Sequence, residues 1–333
     1  MFFVLGISIV LALMLVVNSL ASVVAGLVWK LSRRRINRWA PRNKAEVLFL
    51  LRALPAFFGA VCVLLLFAPA YLTHEPRDGH EDVSVKLAVI AGLAGIGIAV
   101  AVVRGIAAWH ATSRLAADWL QHAHPISVAK IKIPAYQIEH RFPLIAVVGS
   151  LRPRLFIARQ VLQSLSSDEL TAALEHEAGH IIARDNLKRG LMRACRDVLM
   201  IVPFGQRMDR AWVDASEAAA DEYAARGKRK TGLDLASAMV KIARMIPAGI
   251  RPTMTAGAFL IGDDDKIGFK RRIRRLIQLA NDPKNEVNSS AFSKVLKWIP
   301  ICLMLIAIGI TATEPHVLAT VHQFIEHAVY ILD

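Results

Sequence analysis

Residues 173–186 read ALEHEAGHIIARDN, and the fold turns on whether His176, Glu177 and His180 lie on one helix. The preceding residues argue that they do. In SLSSDELTAALEHEAGH, Ser166 stands three residues before Glu169, with Asp168 in the first turn. This is the pattern of a capping box, in which the serine and glutamate side chains satisfy free backbone N–H groups at a helix start. Leu170, Ala173, Leu174, Ile181 and Ile182 continue at helical spacing, and no proline follows until Pro203. Residues four apart on a helix face the same way. His176 and His180 can therefore present two imidazoles to one metal ion, with Glu177 beside the open coordination position as a general base.

A catalytic zinc takes a third protein ligand and leaves its fourth position to water. A metzincin continuation needs glycine at 183 and histidine at 186, where this chain has Ala183 and Asn186. The gluzincin alternative takes a glutamate from a later helix. DRAWVDASEAAADEYAAR, 209–226, is alanine-rich and lies between Gly205 and Gly227, which reads as such a helix. It carries Glu217 and Asp221 one turn apart on one face. Glu217 is the expected third ligand. Asp221 is expected to accept the second ring N–H of a ligating histidine, and Asp185 to brace the same region. The expected cofactor is one Zn2+ per chain, with no other cofactor site, and the expected reaction is peptide-bond hydrolysis with Glu177 moving the proton. No G-x-x-x-x-G-K-[ST] phosphate loop is present, which argues against an ATP-driven protease. Glu169, Glu175, Arg184, Asp185 and Lys188 around the motif argue against an intramembrane catalytic helix.

Upstream, LIAVVGSLRPRLFIA at 144–158 has two apolar, partly β-branched runs around a Gly-Ser turn, a hairpin along whose edge an extended substrate is expected to lie. The rest of the chain is unusually apolar. Of 333 residues, 55% are hydrophobic and 20% charged, too little charge for an ordinary water-soluble protein. The excess is concentrated at 1–29, 47–72, 84–103 and 296–313, each able to cross a hydrocarbon core as a helix. The expected fold is mainly α: polytopic membrane helices with an inserted α+β gluzincin-like zinc metallopeptidase domain. Residues 1–103 form three spans with a basic loop at 30–45, residues 104–295 the peptidase domain, 296–313 the fourth span and 314–333 a short external amphipathic tail.

Orientation follows from the loops. KLSRRRINRWAPRNK places seven basic residues before the first acid, Glu46, so 30–45 is expected in the cytoplasm. THEPRDGHED is acidic and suits the outer face. By alternation both termini lie outside and the peptidase domain inside. Arg52 and Lys86, near span ends, are expected to snorkel. The net charge of +14 is read as orientation and attraction to anionic lipid, with no direct nucleic acid partner. Cys62, Cys195 and Cys302 are too far apart to suggest a disulfide framework. His110, His122 and His124 lack complementary donors, GDDDK at 262–266 lacks the pattern of a calcium loop, and Arg271, Arg272, Arg274 and Arg275 are expected to face lipid.

With GSLRPRLFIAR, the Leu165-to-Leu170 run into HEAGH, Arg184-Asp185, the Glu217/Asp221 pair and RRIRRL in place, the chain resembles the BlaR/MecR-type membrane metallopeptidases. It shares these motifs with HtpX-type gluzincins. The resemblance implies a bacterial cell membrane, a cytoplasm-facing zinc endopeptidase between the third and fourth spans, and a cytoplasmic repressor as protein substrate. Only about 20 residues follow the fourth span, too few for a penicillin-binding sensor domain. Membrane-protein quality control of the HtpX type and a non-catalytic zinc-dependent signalling scaffold are the competing readings. Whether the chain acts as a monomer or a homo-oligomer stays open.

Overall fold

The computed structural model describes residues 2–76, 83–128, 131–198, 205–225, 229–246, 266–281 and 299–332. It is mostly helical. The chain opens with α1 (Phe2–Ile36) and α2 (Pro41–Cys62), which runs through a π-helical turn at Val63–Phe67 into α3 (Ala68–His74). A long α4 (Val85–Gln121) leads into four short strands, β1 (His124–Ile126), β2 (Ala135–Ile138), β3 (Ile145–Val148) and β4 (Arg154–Ala158). Then follow α5 (Arg159–Ser164), α6 (Ser167–Ala183), α7 (Asp185–Val198), α8 (Gly205–Ala225), α9 (Arg229–Met245), α10 (Lys266–Asn281), α11 (Ile299–Thr311) and α12 (Pro315–Leu332).

Among the described residues, three helices are long and apolar enough to cross a membrane: Phe2–Ile36, Pro41–His74 and Val85–Gln121. Their outward faces carry Phe3, Leu20, Leu27, Leu64 and Val89, all well exposed in the isolated chain. Such extended apolar surface is stable against lipid and unstable in water. The expected fourth span appears as α11, described over 13 residues, with 296–298 outside the described residues.

The helix that carries the third apolar run extends beyond the expected span at 84–103. It continues unbroken to Gln121, because Arg104 to Leu120 contains no proline and is rich in alanine. The tail helix packs through Ile325 against Leu5, Ile9, Tyr71 and Leu87. Arg52 does not snorkel: it is 7% exposed and its Nε lies 3.2 Å from Asp209 Oδ1 of α8. A charge left unpaired there would carry a desolvation cost, and Asp209 offsets it.

The sheet order is β1-β2-β4-β3, with β2 and β4 parallel and the other neighbours antiparallel. The expected hairpin is present as β3 and β4, with Ala146 opposite Phe156. Its turn requires Gly149, whose φ of 102° is left-handed and whose missing Cβ would lie 2.8 Å from Arg152 O. Phe156, Ile157, Val161, Ala172, Ala173, Leu235, Met239 and Leu276 form one core between the sheet and α6, α9 and α10. A second core joins Ala45 and Leu48 of α2 to Met192, Met208, Trp212 and Ala215 of α7 and α8. The helix that carries Glu217 is therefore seated directly on an apolar helix of the N-terminal bundle.

Candidate metal centre

The capping box at the start of α6 is formed in full. Ser166 Oγ accepts from the Glu169 N–H at 3.3 Å, and Glu169 Oε2 accepts from the Ser166 N–H at 2.8 Å. The same carboxylate accepts from Ser237 Oγ at 2.6 Å and from Lys241 Nζ at 2.7 Å, tying the start of α6 to α9. Burial opposes ionisation of Glu169, but Lys241, Ser237 and the Ser166 N–H outweigh it and pull its carboxyl down to about 2. Three turns further on, His176 and His180 leave the same face with their rings 4.8 Å apart.

α6 ends at Ala183, just past Ile182, the last apolar position of its periodicity. Arg184 adopts a left-handed conformation, with φ 54°, and its N–H caps the last turn. That break turns the chain so that Asp185, at the start of α7, points back to His180, with Oδ2 2.7 Å from Nδ1. On the other side, His176 Nδ1 lies 3.0 Å from Asp221 Oδ1. A carboxylate thus stands beside each Nδ1, hydrogen-bonded at His180 and at 3.0 Å without hydrogen-bond alignment at His176, which turns both Nε2 atoms toward the same place.

α8 supplies the third donor because it crosses α6 at Gly179. A Cβ on Gly179 would lie 3.1 Å from Ala220 Cα and 3.3 Å from Tyr223 Cβ, so only glycine lets the two backbones come this close without displacement. Glu217 is thereby brought within 3.7 Å of both Nε2 atoms, through Oε2 to His176 and Oε1 to His180. The two Nε2 atoms are 3.2 Å apart. All three donors lie within 4.8 Å of one another. Tetrahedral donors at zinc distances stand roughly 3.3 Å from each other, so the set fits such an ion with small movements of Glu217. The electrostatics agree: two imidazole Nε2 atoms whose Nδ1 atoms face carboxylates stand 3.2 Å apart, an arrangement that a shared cation or proton relieves. Glu217 Oε2 is buried and makes no aligned hydrogen bond, although it lies 3.0 Å from Arg272 Nη1.

Arg272 is the site residue that the sequence reading missed. Instead of facing lipid, it reaches from α10 to Asp221 with two bonds, Nε to Oδ2 at 3.0 Å and Nη2 to Oδ1 at 2.7 Å. Its neighbours are paired as well: Arg271 with Asp214 at 3.4 Å and Arg275 with Glu222. A signal was present in the sequence. Phe269, Ile273, Leu276 and Ala280 form the inward stripe of α10, and Arg272 falls within that stripe. An arginine at an inward position needs a buried anionic partner.

Burial works against the charge on Asp221, but Arg272 and then His176 hold its carboxyl down at about 2. Glu217 is held far below its ordinary value against the same burial, mainly by Arg272 and His180. Burial also opposes a charge on His180, yet Glu217 and Asp185 outweigh it and raise the metal-free imidazole to about 10. A bound metal takes the place of that proton, so metal uptake there releases it. Glu177, 5% exposed, is pushed above the ordinary carboxyl value by burial, against the pull of His176 and His180.

The hairpin edge beside the centre is partly occupied. Leu144 O accepts from Ala158 N, so alternation along β3 turns the backbone groups of Val147 and Gly149 to the free edge. There Asn186 Nδ2 donates to Val147 O at 2.9 Å and Gly149 O at 3.3 Å. An extended peptide pairing along this edge meets the Asn186 amide first. Tyr223 packs beside Gly179, while Arg226, also near the motif in sequence, lies outside the described residues. GDDDK lies largely outside them too, and His110, His122 and His124 join no three-donor group among the described residues.

Residues 146–215 match the family described as Peptidase family M48, while no curated protein matches the chain. The matched stretch runs from β3 into α8 and contains His176, Glu177, His180 and Asp185, ending two residues before Glu217. It supports a gluzincin-type metallopeptidase, a hydrolase class whose members are metal-dependent and typically use zinc. With the three apolar helices, it points to a metalloprotease associated with a membrane.

Proposed function

We propose that the protein is a membrane-embedded zinc endopeptidase that cleaves cytoplasmic or membrane-proximal proteins in regulated proteolysis, as in the BlaR/MecR-type systems it resembles. The observation that carries this reading is the convergence of His176 Nε2, His180 Nε2 and a Glu217 carboxylate oxygen beside Glu177. In this reading His176, His180 and Glu217 hold one zinc ion. When bound, zinc supplies Lewis acidity and a water acidified to a pKa of about 7. Glu177 takes the proton of the attacking water on its carboxylate and passes it to the leaving amine. Asp221 and Asp185 keep the two imidazoles in one tautomer each, and Arg272 keeps Asp221 and Glu217 ionised. Asn186 and the outward groups of β3 orient an extended peptide.

The placement of α8 on α2 supports substrates near the bilayer. A centre whose third ligand sits on a helix packed against a membrane-type helix is held at a fixed height above the lipid, in reach of juxtamembrane segments. The orientation proposed, with the centre on the cytoplasmic side, rests on the basic loop at 30–45.

The test is zinc content and cleavage by the detergent-purified protein. The wild type binds zinc at the first centre and cleaves an unfolded protein such as casein; Glu177→Gln keeps that zinc and loses cleavage; Glu217→Ala loses both. Zinc retained at the centre without Glu217 removes it as a ligand. Wild-type protein that folds and binds zinc but cleaves nothing favours a scaffold. Comparing cell proteomes with wild-type and Glu177→Gln protein separates the two protease roles: one or a few new fragments mark regulated proteolysis, and many marks of damaged membrane proteins mark quality control.

A further inference from the structure

A second histidine–carboxylate group lies at the other end of the helical bundle. Glu75 follows α3, and His322 and Glu326 lie four residues apart on one face of α12. Their ligand atoms fall within 4.8 Å of one another, with His322 Nε2 3.5 Å from Glu326 Oε1 and 3.9 Å from Glu75 Oε2. The core beneath this group contains Leu87 of α4, whereas Ala116 of the same helix lies in the core beside the sheet. Twenty-nine residues of helix separate those two, about 44 Å at the usual rise, so the group is remote from the first centre.

We infer that Glu75, His322 and Glu326 form a second divalent-cation site of the zinc class. One imidazole and two carboxylates are the donor types that zinc and its neighbours accept, and the i, i+4 pair on α12 repeats the spacing by which α6 presents its two histidines. The group is also poorly solvated. The Glu75 and His322 side chains are 7% and 14% exposed, and His322 Nδ1 is buried without a hydrogen-bond partner. His322 therefore sits in a poorly solvated position, stabilised on its ring face by His74 at 5.7 Å. Its Nε2 lies within 3.9 Å of both carboxylates. Glu326, 50% exposed, opens the group to solvent and leaves one ligand free to adjust to an ion. A bound ion joins the end of α3 to α12 and so fastens the terminal helix onto Leu5, Ile9 and Tyr71. This inference does not depend on the peptidase reading.

The test equilibrates the full-length protein in detergent with zinc chloride, removes unbound metal and counts zinc by elemental analysis. Wild type is expected to hold two zinc ions, Glu217→Ala one, and Glu326→Gln one. Glu326 is exposed, so its substitution leaves the fold intact, and His322→Gln, checked for retained helicity, is expected to give the same loss. In the Glu217→Ala background, zinc affinity is expected to fall at least tenfold on adding Glu326→Gln. One zinc in the wild type that Glu217→Ala removes overturns the second site and leaves the first. Two zinc ions unchanged by both Glu326→Gln and His322→Gln also overturn it. A count lowered by Glu326→Gln but not by Glu217→Ala overturns the first centre's ligand set and supports the second.

Discussion

The two histidine–carboxylate groups differ less in their donors than in what stands behind them. Each brings together imidazole and carboxylate at 3.5–3.9 Å. In the first, a carboxylate lies within 3.0 Å of each Nδ1, and Arg272 pairs with Asp221 and Glu217 in turn. In the second, His322 Nδ1 has no hydrogen-bond partner and Glu326 is half exposed. The first is a preorganised centre in a packed domain; the second is adjustable and open. Supporting hydrogen bonds fix ligand orientation and raise metal affinity, so the first group is suited to chemistry and the second to fastening two helices.

That contrast can be broken at several points. The largest effect is expected from Glu177→Gln, which removes proton transfer and lowers cleavage of casein by about 10²–10⁴-fold. Its zinc content stays at the wild-type value, because Glu177 is not a ligand in the proposed set. Loss of zinc in this variant assigns Glu177 to the metal instead.

Arg272→Met tests whether the first group depends on its support. It leaves Asp221, fully buried, and Glu217 without their cation, a change that costs about 3–5 kcal/mol when a buried pair is broken. A lower thermal midpoint is expected in metal-free protein, partly recovered on adding zinc. An unchanged midpoint places Arg272 outside the structural support of the centre.

Asp221→Asn keeps the shape and removes the charge behind His176. Zinc affinity at the first centre is expected to fall about 10–100-fold, as read by competition with a chelator. Binding at Glu75, His322 and Glu326 is not expected to change, since the groups lie at opposite ends of α4. Equal weakening at both denies that the two are independent.

A smaller effect is expected from acid. The Glu169 carboxyl titrates at about 2 in the folded protein against an ordinary 4.5, so the unfolded chain binds more protons between those values. Its contribution to stability is complete above about pH 4.5 and is lost as pH falls toward 2. Glu169→Gln flattens this part of the metal-free stability profile while lowering stability at neutral pH. A profile with the same slope in both proteins removes Glu169 as the cause.

The centre was legible in sequence where its pieces are local. The Ser166–Glu169 capping box, the i, i+4 histidines, and Glu217 with Asp221 on one helix all depend on spacing within a few turns, and the structure brings the three donors together. The 144–158 hairpin was legible for the same reason. Arg272 was not, because its role depends on α10 docking beside α8, and four arginines within five residues look alike until one face is buried. Arg52 misled in the opposite sense: an arginine near the end of an apolar run reads as snorkelling, and only the packing of α8 on α2 provides Asp209. The end of α6 carries no sequence signal, because its stop is the backbone of Arg184, a residue with no preference for the left-handed region.

Sequence alone determined the apolar helices, the capped helix with its two histidines and the chemical type of the donors, because hydrophobic spacing, capping and i, i+4 geometry act over short distances. Only the tertiary structure decided that Gly179 lets α8 approach α6, that Asp185, Asp221 and Arg272 stand behind the donors, and that α12 returns to meet α3. Those relations join residues tens to hundreds of positions apart, and they are set by which faces bury together and which charges must then be paired.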